Sequence, residues 1–184
     1  MNIIVNPHNS NHCYSRPDTT WEKEGRDLYI PDGVNKAMWA PVVFARVSKA
    51  GKFVSGKFVS RYYDAIGFGA LVYSDEESLA FSSCMDHTSL LPMPLYNPVV
   101  FENEENTFRV QTGNKEMMFP TGKLISEAIE TAICKASERI SLRIGDIVAV
   151  ELSPIDTLAD RNEGEVEFKA EFGEKVLFDL KVIF

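Results

Sequence analysis

No apolar run in the 184-residue chain approaches the roughly 18 residues that a membrane-crossing helix needs, which argues against a helical membrane protein. Cysteine is scarce: Cys13, Cys84 and Cys134 are odd in number and widely spaced, which excludes a disulfide framework. The start, Met1-Asn2-Ile3-Ile4-Val5-Asn6, has neither the basic residues nor the long apolar stretch of a secretion signal, so a reducing, cytoplasmic setting is expected. Positive charge is also in deficit. Against 27 acids stand 19 basic residues, giving a net charge of −8 and a pI near 4.9, and this field opposes nucleic acid and anionic membrane surfaces. Missing too are a Gly-rich phosphate loop, a Gly-x-Ser-x-Gly elbow and a His-Glu-x-x-His helix.

What is present is a core. Twelve Phe and six Tyr supply more buriable area than a solvated tail carries, and a chain of this length buries roughly 70% of the surface its unfolded form exposes. No linker or shift in composition divides residues 1–184, so one domain is expected. Residues 3–5, 42–47 and 67–73 read as strands, and residues 6–18 as a polar loop. A tandem pentapeptide, Gly51-Lys52-Phe53-Val54-Ser55 and Gly56-Lys57-Phe58-Val59-Ser60, is too short for a solenoid, and the spacing of Phe58, Tyr62 and Ala65 predicts a short helix over 55–64.

Residues 99–101 and 107–111 predict a hairpin across an acidic tip at Glu102, Glu104 and Glu105. The clearest helix spans 124–138, where Ile125, Ala128, Ile129, Ala132, Ile133 and Ala136 make one apolar face. Strands follow over 147–152, 165–172 and 175–184, with a polar loop over 156–164. The sum is a β-rich, mixed α/β domain without the regular alternation of a doubly wound sheet.

Three groupings carry potential chemistry. His8, His12 and Cys13 lie close enough in sequence to begin a zinc site, needing Cys84 or His87 to complete it, although histidines in Asn- and Ser-rich loops are ordinarily just exposed. Cys84, Asp86 and His87 set a thiol three residues from an imidazole, the pairing a Cys nucleophile requires, against the plain reading of a half-buried thiol and a loop histidine. The acids Glu102, Glu104 and Glu105 offer oxygens to a hard cation, or simply face water at a hairpin tip.

Several short motifs, in one order, resemble the fumarylacetoacetate hydrolase-like family, especially its small bacterial members. They are Arg16-Pro17-Asp18-Thr19, then Gly25 through Asp32, then Gly51-Lys52 with Arg61-Tyr62-Tyr63-Asp64-Ala65 and Gly69. Thr112-Gly113 with Met117-Met118-Phe119, Leu124-Ile125, and Leu142-Arg143-Ile144-Gly145-Asp146 complete the series over residues 16–184. The resemblance implies a mixed β-sandwich roll with a few short helices, assembled as a homodimer. It also implies a hydrolase, decarboxylase or isomerase of small 2-oxo acids, in which Mg²⁺ or Mn²⁺ held by a Glu-x-Glu pair and an Asp stabilises an enolate.

At the corresponding positions this chain has Ala40, Val42 and Leu71, Ser83 replaces the family lysine, the Gly-Thr-Pro-Ala-Gly loop shrinks to Ser153-Pro154, and the lid near 6–16 is shortened, with His12 near its histidine position and Ser15 where its glutamate would be. The expectation is therefore a pseudoenzyme with no cofactor, acting by binding or assembly, alone as a homodimer or with an active relative, its old site filled by Trp39, Val42 and Leu71. Two alternatives stand beside it. One is a Mg²⁺- or Mn²⁺-dependent family enzyme with Glu102, Glu116 or Glu151 as substitute ligands; the other is an enzyme built around His12, Cys84, Asp86 and His87.

Overall fold

The computed structural model describes residues 1–99, 106–113 and 115–184. The described residues form two sheets. The larger contains β1 (Ile3–Asn6), β2 (Tyr14–Arg16), β3 (Trp21–Glu22), β5 (Lys36–Val47), β6 (Tyr63–Ser74), β7 (Ser89–Leu90), β10 (Ile147–Glu151) and β11 (Asp156–Asp160). Its order is β2-β1-β10-β5-β6-β7-β3, with β11 also paired to β5. The smaller has the order β4 (Leu28–Tyr29), β13 (Lys175–Ile183), β12 (Glu165–Phe172), β8 (Thr107–Thr112) and β9 (Lys115–Pro120). The described residues also include the α-helices α1 (Leu79–Ser82) and α2 (Lys123–Arg139). None of the described helices is long and apolar enough to cross a membrane.

The central hairpin β5–β6 explains why the sequence there shows no polar alternation. Val42 and Val43 point to opposite faces, and both are fully buried. A strand covered on both sides reads as one apolar run. On one face, Val43, Ala45, Phe68 and Trp39 meet α2 and the smaller sheet, with Trp39 edge-on to Phe168 at 5.2 Å and Phe68 stacked on Phe108 at 4.6 Å. Trp39 therefore does not share a face with Val42 and Leu71, contrary to the packing expected from sequence; strand alternation sends it to the other side.

Other expectations shift in instructive ways. The 55–64 segment is a 3₁₀ turn (Gly56–Arg61) ahead of β6, with Val59 as its buried residue. The partner of β8 is β9, joined through Gly113; the expected tip at Glu102, Glu104 and Glu105 lies outside the described residues. Both segments read as polar loops contain a strand, β2 and β11, each lending three to five residues to an edge that is already formed. Helix α2 matches its expected span closely and buries Ile125, Ile129, Ala132, Ile133 and Ala136.

Pro41 sits in the middle of β5 without breaking it. Its carbonyl accepts from the Leu152 backbone N–H at 2.8 Å, and its missing N–H falls on the same edge, where β10 ends at Val42 and β11 begins at Trp39. A proline is tolerated where the ladder already pauses. The Gly145-Asp146 turn is likewise structural: Gly145 has φ of 89°, and the buried Asp146 carboxylate accepts from the backbone N–H of Asn2 and of Arg143, each at 2.8 Å, tying β1 to the entry of β10.

On β6, Gly69 lets β7 approach closely. A Cβ added there would lie 2.1 Å from the Leu90 carbonyl oxygen, and backbone cannot move aside as a side chain can. Gly69→Ala is expected to destabilise the fold by about 2–3 kcal/mol, read as a lower urea midpoint at unchanged slope.

Candidate functional site

The second face of the larger sheet carries its own buried cluster. Ile3 and Val5 of β1, Ile147 and Ala149 of β10, Ala40, Val42 and Phe44 of β5, and Leu71 and Tyr73 of β6 form it, with Tyr14, Trp21, Met38 and Leu95 packed against its rim. Ala40 is the direct register partner of Leu71, and Val42 faces Gly69 on one side and Glu151 on the other. The structure thus brings Ala40, Val42 and Leu71 to one spot, all fully buried. Their alkyl groups make the floor of the face.

Polar groups close over that floor. Glu151 is the last residue of β10 and is buried. The Tyr73 hydroxyl donates to its Oε1 at 2.5 Å, and the His8 backbone N–H donates to its Oε2 at 3.0 Å. Tyr14 and Tyr73 hydroxyls lie 2.8 Å apart; with the Tyr73 proton committed to Glu151, Tyr14 donates to Tyr73. The His8 contact pins the short loop between β1 and β2 over this edge of the site.

Arg16 completes the group. It is 1% exposed, and its Nη2 donates to the Val72 carbonyl at 2.8 Å and to Thr88 Oγ1 at 2.7 Å. Its guanidinium lies over the Tyr73 ring, 4.9 Å from the centroid, so the π face supplies part of the stabilisation that water would give. Among the described residues Nε and Nη1 have no hydrogen-bond partner, a costly arrangement for a buried cation. Burial pushes the Arg16 pKa down, partly offset by the two phenols. Burial pushes the Tyr14 phenol up to about 12, against the opposing pull of Arg16, and holds Tyr73 well above the ordinary phenol range, reinforced by Tyr14 and Glu151.

The other sequence candidates do not converge. His12 is exposed, and the Cys84 thiol donates to the Phe81 carbonyl at 3.0 Å. His87 is exposed, with its Nδ1 3.4 Å from Glu22 Oε2, and Asp86 is exposed beside it. Ser83 is buried at the end of α1. Glu116 lies on edge strand β9 of the other sheet, paired with Arg109 at 2.9 Å, and Glu102 is outside the described residues. No three His, Cys, Asp or Glu side chains come together among the described residues. All three cysteines are free thiols. The sequence alone does not mark Tyr14, Arg16 and Tyr73 as site residues and offers Glu151 only as a substitute ligand; its readable signal is one acid closing the apolar strand Ile147-Val148-Ala149-Val150-Glu151.

A protein from Yersinia pestis CO92 assigned to the fumarylacetoacetate hydrolase family superposes with a TM-score of 0.80 at 13% identity, over 99% of this chain and 92% of that one. This chain has the fumarylacetoacetate hydrolase fold. The fumarylpyruvate hydrolase of Pseudomonas aeruginosa, solved with Mn²⁺ and pyruvate, gives a TM-score of 0.80 at 10% identity over 100% of this chain and 90% of that one. The 5-carboxymethyl-2-hydroxymuconate delta-isomerase of Mycobacterium smegmatis gives 0.75 at 13% identity, over 99% and 78% of the two chains. The fold is thus one shared by hydrolases and isomerases. No protein-family model matches the sequence, and no curated protein matches it.

Mg²⁺ or Mn²⁺, which the fold family implies, does not fit the residues here. Such a cation takes oxygen ligands in an octahedral shell. Ala40, Val42 and Leu71, where the sequence resemblance implies carboxylates, present only alkyl side chains, and both oxygens of Glu151 already accept hydrogen bonds.

The raised Tyr14 pKa has a stability consequence. The folded chain keeps the phenol neutral up to about 12, whereas the unfolded chain ionises near 10, so its contribution is intact below pH 10 and is lost as pH rises through 12. Tyr14→Phe is expected to remove about 2–3 kcal/mol of the fall in unfolding free energy across that window, measured as the difference between wild-type and variant urea curves.

Proposed function

We propose that this protein is a pseudoenzyme of the fumarylacetoacetate hydrolase fold, working in the cytoplasm through binding or assembly, as a homodimer or beside an active relative. The observation that carries the reading is the sealed floor of Ala40, Val42 and Leu71, which are buried together where the family pattern places carboxylates. A divalent ion entering there would shed water and gain no anionic ligand in return, at a cost of several kcal/mol or more. The same floor leaves a 2-oxo acid nothing to chelate against, so the inherited enolate chemistry has no electrophile.

One observation favours a competing reading, a hydrolase or isomerase of small 2-oxo acids. The Tyr14–Tyr73–Glu151 chain is a buried path along which a proton can move, and acid–base enzymes use such paths. On the pseudoenzyme reading the same chain holds the shortened lid closed. The two differ in outcome. Purified protein titrated with Mg²⁺ and Mn²⁺ is expected to show no saturable rise in Tm and no turnover of an acylpyruvate panel above buffer. A saturable Mn²⁺ stabilisation that disappears in Glu151→Gln, or turnover that disappears with it, would replace this reading by the enzymatic one.

A further inference from the structure

The tandem pentapeptide is unexplained by the site, and its structure is regular. Val54 and Val59 are buried at 7% and 2% exposure, while the Lys-Phe pair ahead of each faces solvent, with Phe53 at 71% and Phe58 at 43%. The period of five therefore plants two valine anchors and displays two identical Lys-Phe units. Lys52 lies over the Phe53 ring, and Lys57 and Arg61 over the Phe58 ring, at 5.7, 5.6 and 5.3 Å. Residues 49–61 carry four positive charges, Lys49, Lys52, Lys57 and Arg61, and no acid; with a chain total of −8, the remaining residues carry −12. This basic, aromatic patch is the local exception to a charge balance that otherwise repels anions.

The patch has a complement on the same chain. At the far end of β6, the exposed acids Asp75, Glu76 and Glu77 rim a cleft of about 370 Å³ whose apolar wall includes Met38, Leu79 and Ile155. An aromatic ring enters such a wall favourably while its neighbouring ammonium meets the rim. The two surfaces cannot meet within one molecule. The twelve residues of β6 separate them, a span of about 36 Å for an extended strand. A basic aromatic knob at one end of a rigid hairpin and an acidic apolar socket at the other make a surface that pairs with a copy of itself head to tail.

We infer that residues 49–61 of one copy dock in the acid-rimmed cleft of the next, a heterologous contact between molecules of this chain. The inference rests on charge and shape at the two ends of β6, and it holds whether or not the buried face is catalytic. Because the contact is head to tail, it propagates into rings or open chains, unlike a two-fold dimer.

Sedimentation velocity of wild-type protein at roughly 20 mM and 500 mM salt tests it, since exposed ion pairs are screened at the higher value. The expected result is concentration-dependent growth beyond any dimer at low salt and its loss at high salt. Lys52→Glu with Lys57→Glu, and separately Glu76→Lys with Glu77→Lys, should each weaken that growth about tenfold or more, with far-UV circular dichroism and Tm unchanged. Mixing the two variants should give a salt-sensitive one-to-one complex and no further growth, because only the intact patch of one meets the intact cleft of the other. Growth that survives in both variants, or a wild-type mass that does not depend on salt, overturns the contact. So does binding of the patch to phosphatidylserine vesicles without self-association, which would assign it to a membrane surface instead.

Discussion

Glu151 is a buried carboxylate at the edge of the alkyl floor of the larger sheet, and both of its oxygens are engaged. Tyr73 holds one and the His8 backbone holds the other. Through Tyr73 the acid reaches Tyr14 and lies within the field of the Arg16 guanidinium, so a buried cation and a buried anion are linked by two phenols rather than by direct contact. Phenols are suited to the task because burial keeps them protonated and each both donates and accepts. The network fixes the β1–β2 connection over the alkyl floor, and that closure is what separates this face from an open catalytic groove.

The floor itself follows from strand register. Ala40 would be a poor place for any charged group once Leu71 stands opposite it, and Val42 next to Gly69 leaves room only for the approach of β7. Five alkyl or aromatic residues in alternate positions of β5 and β6, Ala40, Val42, Phe44, Leu71 and Tyr73, decide the chemistry of the whole face, because a side chain two residues along returns to the same side.

Much of this was legible in the sequence. The apolar run of β5, the strict alternation of β12 and the 3.6-residue pattern of α2 each name their element, since burial on two faces, one face or one stripe leaves a distinct period. Trp39 stands three residues from Val42, an odd offset that strand alternation alone sends to opposite faces, so the expected shared packing fails on spacing that is itself legible in the sequence. β2 and β11 were hidden for a different reason: they are short, polar strands whose existence depends on an edge offered by distant residues. Arg16 and Tyr73 were invisible as partners because they lie 57 residues apart and meet only when the sheet has formed. The basic stretch at 49–61 was diluted in a net charge of −8, and its exposure became apparent only with the valine anchors in place.

The pause in the ladder beside Pro41 has a consequence for how this fold changes over time. β10 and β11 share one edge of β5 in succession, and the four residues between them carry no strand register beyond the single bond from Leu152 to Pro41. Insertions or deletions there are insulated from the rest of the architecture, so the rim of the groove can be lengthened to grip a small molecule or trimmed to a bare turn while the strands on either side stay where they are.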